Sequence, residues 1–253
     1  MILSKKYLGQ HFLINEKISK KIANSLTPNY NQHILEIGPG RGALTYFLVE
    51  KKYNLQVVEI DIDCVNLLRK KYQGLKIIQG DFLKIDLKKI LTPNHIIIGN
   101  FPYNISSQIV FKIIEHRQEL KQVVGMFQKE VADRICSKPK SKKYGILSVL
   151  TQAYFKCETL FDVSPNNFQP PPNVNSSVIQ LYRNNTIELT CNHNNFVKVV
   201  KAGFSQRRKK LKNALKKITN LKNSNSNILF SKRAEELNVS EFVQLTNLIF
   251  SNS

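Results

Sequence analysis

Glu36-Ile37-Gly38-Pro39-Gly40-Arg41-Gly42 is the stretch whose reading decides the fold. Residues 33–37, which run into it, form a short, mainly apolar run with the look of a buried strand, and the pattern from Ala43 onward is helical. A glycine turn between a strand and a helix is the opening unit of an α/β sheet, in which ligands bind outside the carboxyl ends of the strands. Glycine permits positive φ there and lets a ligand approach the backbone. The spacing is G-x-G-x-G, not the G-x-G-x-x-G of dinucleotide enzymes, which offer a free helix N-terminus to a pyrophosphate. A ligand without phosphate suits this turn better.

Outward from the turn, strand patterns occur at 55–60, 75–79, 95–99, 122–127, 159–163 and 177–182, and helical patterns at 16–26, 43–51, 63–72, 107–116, 129–136 and 147–155. This alternation predicts an α/β fold with a mainly parallel sheet covered by helices on both faces. The last two strands are separated by a loop rather than a helix, which predicts an antiparallel hairpin at one edge. Composition shifts after Arg183: Asn184-Asn185 and 192–195 read as linker, followed by helical patterns at 196–217 and 231–250 joined by the polar stretch 223–227. The expected organisation is a ligand-binding, catalytic domain over 1–183 and a small basic helical domain over 184–253. No internal repeat is visible.

The charge balance narrows the partners. The 253 residues carry 38 Lys and Arg against 18 Asp and Glu, a formal net charge of +20. Twelve of those cations lie between Glu188 and Glu235, where there is no acidic residue. Such a run favours a polyanion, bound with counterion release from its phosphates; the plainer alternative is a solvated lysine-rich surface. Cys64, Cys136, Cys157 and Cys191 are widely spaced, and the five histidines have no metal-ligand spacing, so reduced packing cysteines and no metal are expected. There is no stretch of ~18 apolar residues and no signal-peptide core. A soluble, cytoplasmic protein with no membrane partner is expected, monomeric because no coiled-coil or dimer seam shows.

Three strand ends carry candidate ligand-binding groups. Glu59 ends the second strand, 21 residues after Gly38, where an acid can hold both hydroxyls of a ribose. Asp81 ends the third, its carboxylate placed to accept from an adenine amine while Phe82 packs on the ring. With the phosphate-free turn at Gly38 and Gly40, this set fits S-adenosylmethionine. The fourth strand runs through Ile96-Ile97-Ile98 into Asn100-Phe101-Pro102-Tyr103. The Asn100 side-chain carbonyl and the Phe101 backbone carbonyl can each accept a hydrogen bond from an exocyclic amine, Pro102 stiffens the backbone, and Tyr103 can stack on a flat base. Each residue alone also fits a surface, capping or turn role; their order along successive strand ends argues for the site.

Further segments complete a family resemblance. Gly9-Gln10-His11-Phe12-Leu13 precedes the glycine turn; Gln128-Lys129-Glu130-Val131, Tyr144-Gly145 and Leu147-Ser148-Val149 follow Tyr103. Then come Phe168-x-Pro170-Pro171-Pro172-x-Val174-x-Ser176 and Phe204-Ser205-Gln206-Arg207-Arg208-Lys209. In this order, over nearly the whole chain, the segments resemble the ribosomal-RNA adenine N6,N6-dimethyltransferases. The resemblance implies a class I (Rossmann-like) methyltransferase fold and cofactor contacts at His11, Leu13, Gly38, Glu59, Asp81 and Asn100. His11 stands where Asn is commoner, and Phe101 where Leu is commoner; since Phe101 would act through its carbonyl, its side chain is expected to matter less.

The implied reaction is dimethylation of the N6 amines of two adjacent adenosines in the 3′-terminal hairpin of small-subunit (16S) ribosomal RNA, coupled to late ribosome assembly. The small subunit and its RNA are then the partners. A base must be splayed out of its helix to react, and Tyr103 with Phe168 is the expected clamp. Arg207, Arg208, Lys209, Lys210 and Lys212 are expected to contact phosphates from a basic helix. The rival readings are a large-subunit adenine methyltransferase conferring antibiotic resistance, a DNA adenine methyltransferase, and an assembly factor whose catalysis is secondary. Tyr144-Gly145 and Gln206-Arg207-Arg208-Lys209 favour the small-subunit branch, and Asn100 stands where the DNA enzymes usually carry an acid.

Overall fold

In the computed structural model, which describes residues 2–28, 32–184, 189–218 and 227–250, the expected alternation of strands and helices is present. In chain order the elements begin with β1 (Phe12–Leu13), α1 (Glu16–Asn24), β2 (His33–Ile37), α2 (Ala43–Glu50) and β3 (Asn54–Glu59). Next come α3 (Ile62–Lys71), β4 (Lys76–Gln79), β5 (His95–Asn100), α4 (Ser106–Glu115) and β6 (Leu120–Gln128). They are followed by α5 (Lys129–Cys136), α6 (Ile146–Gln152), β7 (Phe155–Val163), β8 (Phe168–Gln169) and β9 (Ser176–Arg183). Beyond these lie α7 (His193–Ser205), α8 (Leu211–Ala214) and α9 (Val239–Phe250). Of the expected linker and polar stretch, Asn185 and 223–226 fall outside the described residues. No described helix is long and apolar enough to cross a membrane.

Seven strands form one sheet in the order β4-β3-β2-β5-β6-β9-β7. The pairs β2–β3, β3–β4, β2–β5 and β5–β6 are parallel, and β6–β9 is antiparallel. β7 and β9 lie side by side at one edge, as the loop between them requires. Strand period fixes the core: Ile34, Val57, Ile96, Ile98 and Val124 pack with Ile22 of α1 and Leu44 and Leu48 of α2. The alternate residues Leu35, Ile37, Val58 and Ile97 are equally buried, so the central strands face protein on both sides.

The chain winds from β2 outward to β4, then crosses back to β5 and winds the other way. The reversal opens a crevice at the carboxyl ends of β2 and β5. Since Glu36 pairs with Ile98, the glycine turn and Asn100 emerge side by side at that crevice.

Two compact units result: Met1–Ala132 with Lys156–Arg183, and Asp133–Phe155 with Asn184–Ser253. The division falls after Arg183, and 133–155, expected within the first domain, groups with the C-terminal unit instead. Lys140 N–H donates to the Glu235 carbonyl at 2.7 Å. Arg207 Nη2 donates to the Ser141 carbonyl at 3.2 Å. The buried Tyr144 ring meets Phe204, which in turn stacks on Phe242 of α9. Hydrophobic period identifies a helix at α6 without saying which core it serves.

The long helical readings in the second unit also break up. α7 ends at Ser205, where the next residue, Gln206, leaves helical φ/ψ, so 206–210 is a turn rather than helix. α9 starts only at Val239, where Asn238 and Glu241 form a reciprocal capping box: each side chain accepts the other's backbone N–H at 2.9 Å.

Candidate functional site

A cavity of about 270 Å³ lies at the crevice, and all of its lining residues come from the first unit. Its floor is the glycine turn. Gly38 and Gly40 have φ of 65° and 55°, the left-handed region that other residues avoid. A Cβ on Gly40 would come within 3.0 Å of the Phe12 ring, so the turn can sit under β1 only without a side chain.

The acids at the strand ends are held by backbone donors. Glu59 is nearly fully buried; one carboxylate oxygen accepts from Gly40 N–H at 2.9 Å and the other from Asp61 N–H at 2.8 Å. Burial raises its pKa, and these backbone bonds oppose that rise. The carboxylate keeps acceptor capacity beyond these donors, which suits a neighbouring hydroxyl. Asp81 uses Oδ1 to cap its own turn, accepting from Leu83 N–H at 2.9 Å, and its side chain is part exposed at the cavity. Phe82 is buried beside it. An acceptor for hydroxyls, an acceptor for an amine and apolar walls from Phe82 and Ile60 fit a nucleoside.

Asn100 ends β5. Its Nδ2 donates to the His11 carbonyl at 3.0 Å, which turns Oδ1 the other way as an acceptor. The contact joins His11 to the site through its backbone. The His11 ring meanwhile stacks on Tyr103 with centroids 5.4 Å apart, and its Nδ1 donates to the Pro170 carbonyl at 2.8 Å. Tyr103 also shares a hydrogen bond between its hydroxyl and Ser176 Oγ.

Every expected cofactor residue lines the cavity: His11, Leu13, Gly38, Gly40, Glu59, Asp81, Phe82 and Asn100, together with Phe101, Pro102 and Tyr103. Two expectations need correction. Phe168 does not line it. Its ring is 3 % exposed and packs in the hydrophobic core, because β8 pairs with β1 and places Phe168 opposite Leu13. The ring beside Tyr103 is His11. Phe101 is likewise no passive carrier of a carbonyl. Its ring is fully buried against Gly99 and Gly125, where an added Cβ would come within 2.7 Å and 2.4 Å of it. The two glycines are the space into which this phenyl fits.

The sequence reading missed the network that fastens the N-terminal segment over the cavity. Lys5 Nζ bonds Asp61 at 2.5 Å and Asp63 at 2.7 Å, and Gln10 Nε2 donates to the other oxygen of Asp61 at 2.8 Å. Arg41, within the glycine turn, donates to the Ile2 carbonyl at 2.6 Å and lies 4.3 Å over the Phe12 ring. Asp61 caps α3, and an Asp just before a helical pattern is a legible cap signal; its link to Lys5 is not. Glu36 was also missed as a site residue. It is buried on the cavity wall, accepts from Thr45 Oγ1 at 2.7 Å, and burial pushes its carboxyl up to about 8.

The residues 2–250 match the sequence profile of the family described as Ribosomal RNA adenine dimethylase. The chain belongs to that family. Among its relatives, the Ribosomal RNA small subunit methyltransferase A of Cytophaga hutchinsonii is 49 % identical, covering 98 % of each chain. The protein of the same name in Flavobacterium johnsoniae is 49 % identical, covering 98 % of this chain and 96 % of its own. Among solved structures, a dimethyladenosine transferase from Plasmodium falciparum superposes with a TM-score of 0.80 at 26 % identity, covering 96 % of this chain and 98 % of that one. The 23S rRNA methyltransferase ErmE shares the fold, with a TM-score of 0.70 at 22 % identity over 94 % of this chain and 99 % of its own. The dimethylase fold is thus a class I, Rossmann-like methyltransferase sheet followed by helices, and its cofactor is S-adenosylmethionine.

The basic residues in this dimethylase are not equivalent. Arg208, Lys209, Lys210 and Lys212 are exposed on the turn after α7 and the start of α8. Arg207 points inward: Nε pairs with Glu235 at 2.6 Å, in addition to the Ser141 carbonyl. It is a structural tie within the second unit rather than a free phosphate contact, because Glu235 and the Ser141 carbonyl already hold its guanidinium.

Proposed function

We propose that this protein transfers methyl groups from S-adenosylmethionine to the N6 amines of two adjacent adenosines in the 3′-terminal hairpin of small-subunit (16S) ribosomal RNA, during late assembly of that subunit. The observation that carries the reading is Asn100. Its amide is locked by the His11 carbonyl so that Oδ1 is free to accept, and it stands in the same crevice as the Glu59 and Asp81 carboxylates. The names of the closely similar relatives support the small subunit as the substrate.

S-adenosylmethionine supplies a methyl group already activated by its sulfonium. Glu59 holds the ribose hydroxyls, Asp81 takes the adenine amine, and the Gly38 turn lets the amino-acid end pass close to the backbone. The target adenine N6 is a poor nucleophile because its lone pair is conjugated into the ring. Asn100 Oδ1 and the Phe101 carbonyl accept its two protons, which favours a pyramidal, more nucleophilic nitrogen. Orientation and electrostatic matching then do most of the remaining work. Water takes the released proton, and the neutral Asn100 has no charge to hold a cationic product in place.

Tyr103 offers a stacking face to the extruded base, with His11 backing it. Arg208, Lys209, Lys210 and Lys212 of the second unit contact phosphates. The protein acts as a monomer in the cytoplasm.

The test is methyl transfer from labelled S-adenosylmethionine to undermethylated small subunits, with the modified base mapped, beside large-subunit RNA and duplex DNA. Dimethyladenosine near the 3′ end of small-subunit RNA is expected. Label confined to large-subunit RNA would overturn the substrate assignment, and tight subunit binding without any label would overturn the enzyme.

A further inference from the structure

The turn after β4 carries Asp81 and Phe82, and it has an anchor outside the cavity. Lys84 and Ile85 N–H both return to the Asp81 carbonyl, at 2.9 and 3.1 Å, so the turn closes on itself at its start. At its end it exposes the carbonyls of Phe82, Leu83 and Ile85. The Lys112 ammonium of α4 receives all three: Nζ lies 2.7 Å from the Phe82 oxygen, 2.9 Å from Leu83 and 2.6 Å from Ile85. An ammonium has three N–H groups, and each is used by one carbonyl. The same charge sits 5.3 Å from the Phe82 ring centre. Burial lowers the lysine's pKa from its ordinary value, and the nearby carboxylates of Glu115, Asp81 and Asp86 oppose that shift.

We infer that Lys112 is a positioning residue that sets affinity for the adenine end of the cofactor by fixing the Asp81–Phe82 turn. Lys112 does not line the cavity, so its effect passes through the turn. The chemistry required is a point donor: three acceptors converge on one nitrogen. A planar guanidinium spreads its donors along a fork and cannot place three on one point, so arginine replaces lysine only in part. The inference rests on the cavity being the S-adenosylmethionine site.

The test compares Lys112→Met and Lys112→Arg with the parent protein, using calorimetric binding of S-adenosylhomocysteine and steady-state methylation of undermethylated small subunits. The parent's own binding comes first, since its failure would count against the site itself rather than against Lys112. Lys112→Met is expected to weaken binding and raise KM for S-adenosylmethionine by about tenfold, the loss of roughly one hydrogen bond to a charged group. Its kcat at saturating cofactor should be unchanged, and Lys112→Arg should fall between the two. The loss should shrink for the inosine analogue of S-adenosylhomocysteine, which lacks the amine that Asp81 accepts. Amide exchange at Leu83 and Ile85 should rise in Lys112→Met while exchange in β2 and β5 stays slow, which separates a loosened turn from an unfolded protein. Unchanged affinity in folded Lys112→Met, or an equal loss for both analogues, would overturn the assignment.

Discussion

The carboxyl edge of the sheet and the turn after α7 handle charge in opposite ways. At the sheet edge the acids Glu36 and Glu59 are buried, and each is met by a named donor: Thr45 for the first, Gly40 and Asp61 N–H for the second. On the turn, Arg208, Lys209, Lys210 and Lys212 stand in solvent, and only Arg207 is held by partners. The first arrangement is position-specific, because a buried polar group without its partner is costly and a misplaced one does no chemistry. The second is additive and screened, because each exposed cation contributes a similar share to binding a phosphate chain. On the proposed function, the first region selects a molecule by fixed geometry and the second gathers a polymer by charge.

The largest effect expected is at Asn100. Asn100→Ala removes the amide acceptor and should lower kcat about 10²–10³-fold, as loss of a preorganised transition-state group does. Affinity for S-adenosylmethionine should fall much less, since Glu59 and Asp81 are untouched. A variant that lost cofactor binding and kcat together would show that the two functions of the edge cannot be separated.

Tyr103 and Phe168 sharpen the same contrast within one unit. Both were expected to grip the base, yet one lines the cavity and the other is core. Tyr103→Ala should cost about 1–3 kcal/mol of base stacking with little change in melting temperature. Phe168→Ala should instead destabilise the protein by about 3–5 kcal/mol through the cavity it leaves. Full stability in the second variant, with lost methylation, would return Phe168 to the site.

The difference between these aromatics also marks how far the sequence could be read. Period and glycine spacing located every strand of the seven-stranded sheet to within a few residues, and the groups at its strand ends emerged where the parallel order requires. The two-residue strands β1 and β8 were invisible, since two residues carry no period; with them went the burial of Phe168. The fit of Phe101 into Gly99 and Gly125 depends on neighbouring strands in register, which no local pattern reveals. The tie between Lys5 and Asp61 spans 56 positions, and the pairing of Arg207 with Glu235 spans 28. Charge runs disclose that cations are abundant, not which one is already taken.

That last distinction gives a smaller, sharper test. Lys209→Ala should leave stability unchanged and reduce the slope of log binding constant against log salt by about 1. Arg207→Ala should leave the slope nearly unchanged while destabilising the second unit by about 1 kcal/mol, a modest value because the pair is part exposed. Salt titration of RNA binding beside thermal unfolding separates the two. An equal change of slope in both variants would place Arg207 among the phosphate contacts after all.

The last effect expected is a pH dependence at the sheet edge with no counterpart on the basic turn. Glu36 has an ordinary carboxyl value of 4.5 and is pushed up to about 8 by burial, with the Thr45 hydroxyl opposing the rise. Between those values the folded chain binds a proton that the unfolded chain has released, so the native state binds more protons and stability must fall as pH rises. The contribution of the protonated carboxyl is therefore complete below about pH 4.5 and is lost as pH climbs through about 8. Glu36→Gln keeps an acceptor for Thr45 and cannot ionise. Chemical unfolding of both proteins without cofactor should show the stability of the parent falling relative to the variant across that interval. Parallel curves would mean that water reaches Glu36 through the cavity and that its carboxylate is solvated there, which would make the edge as screened as the basic turn.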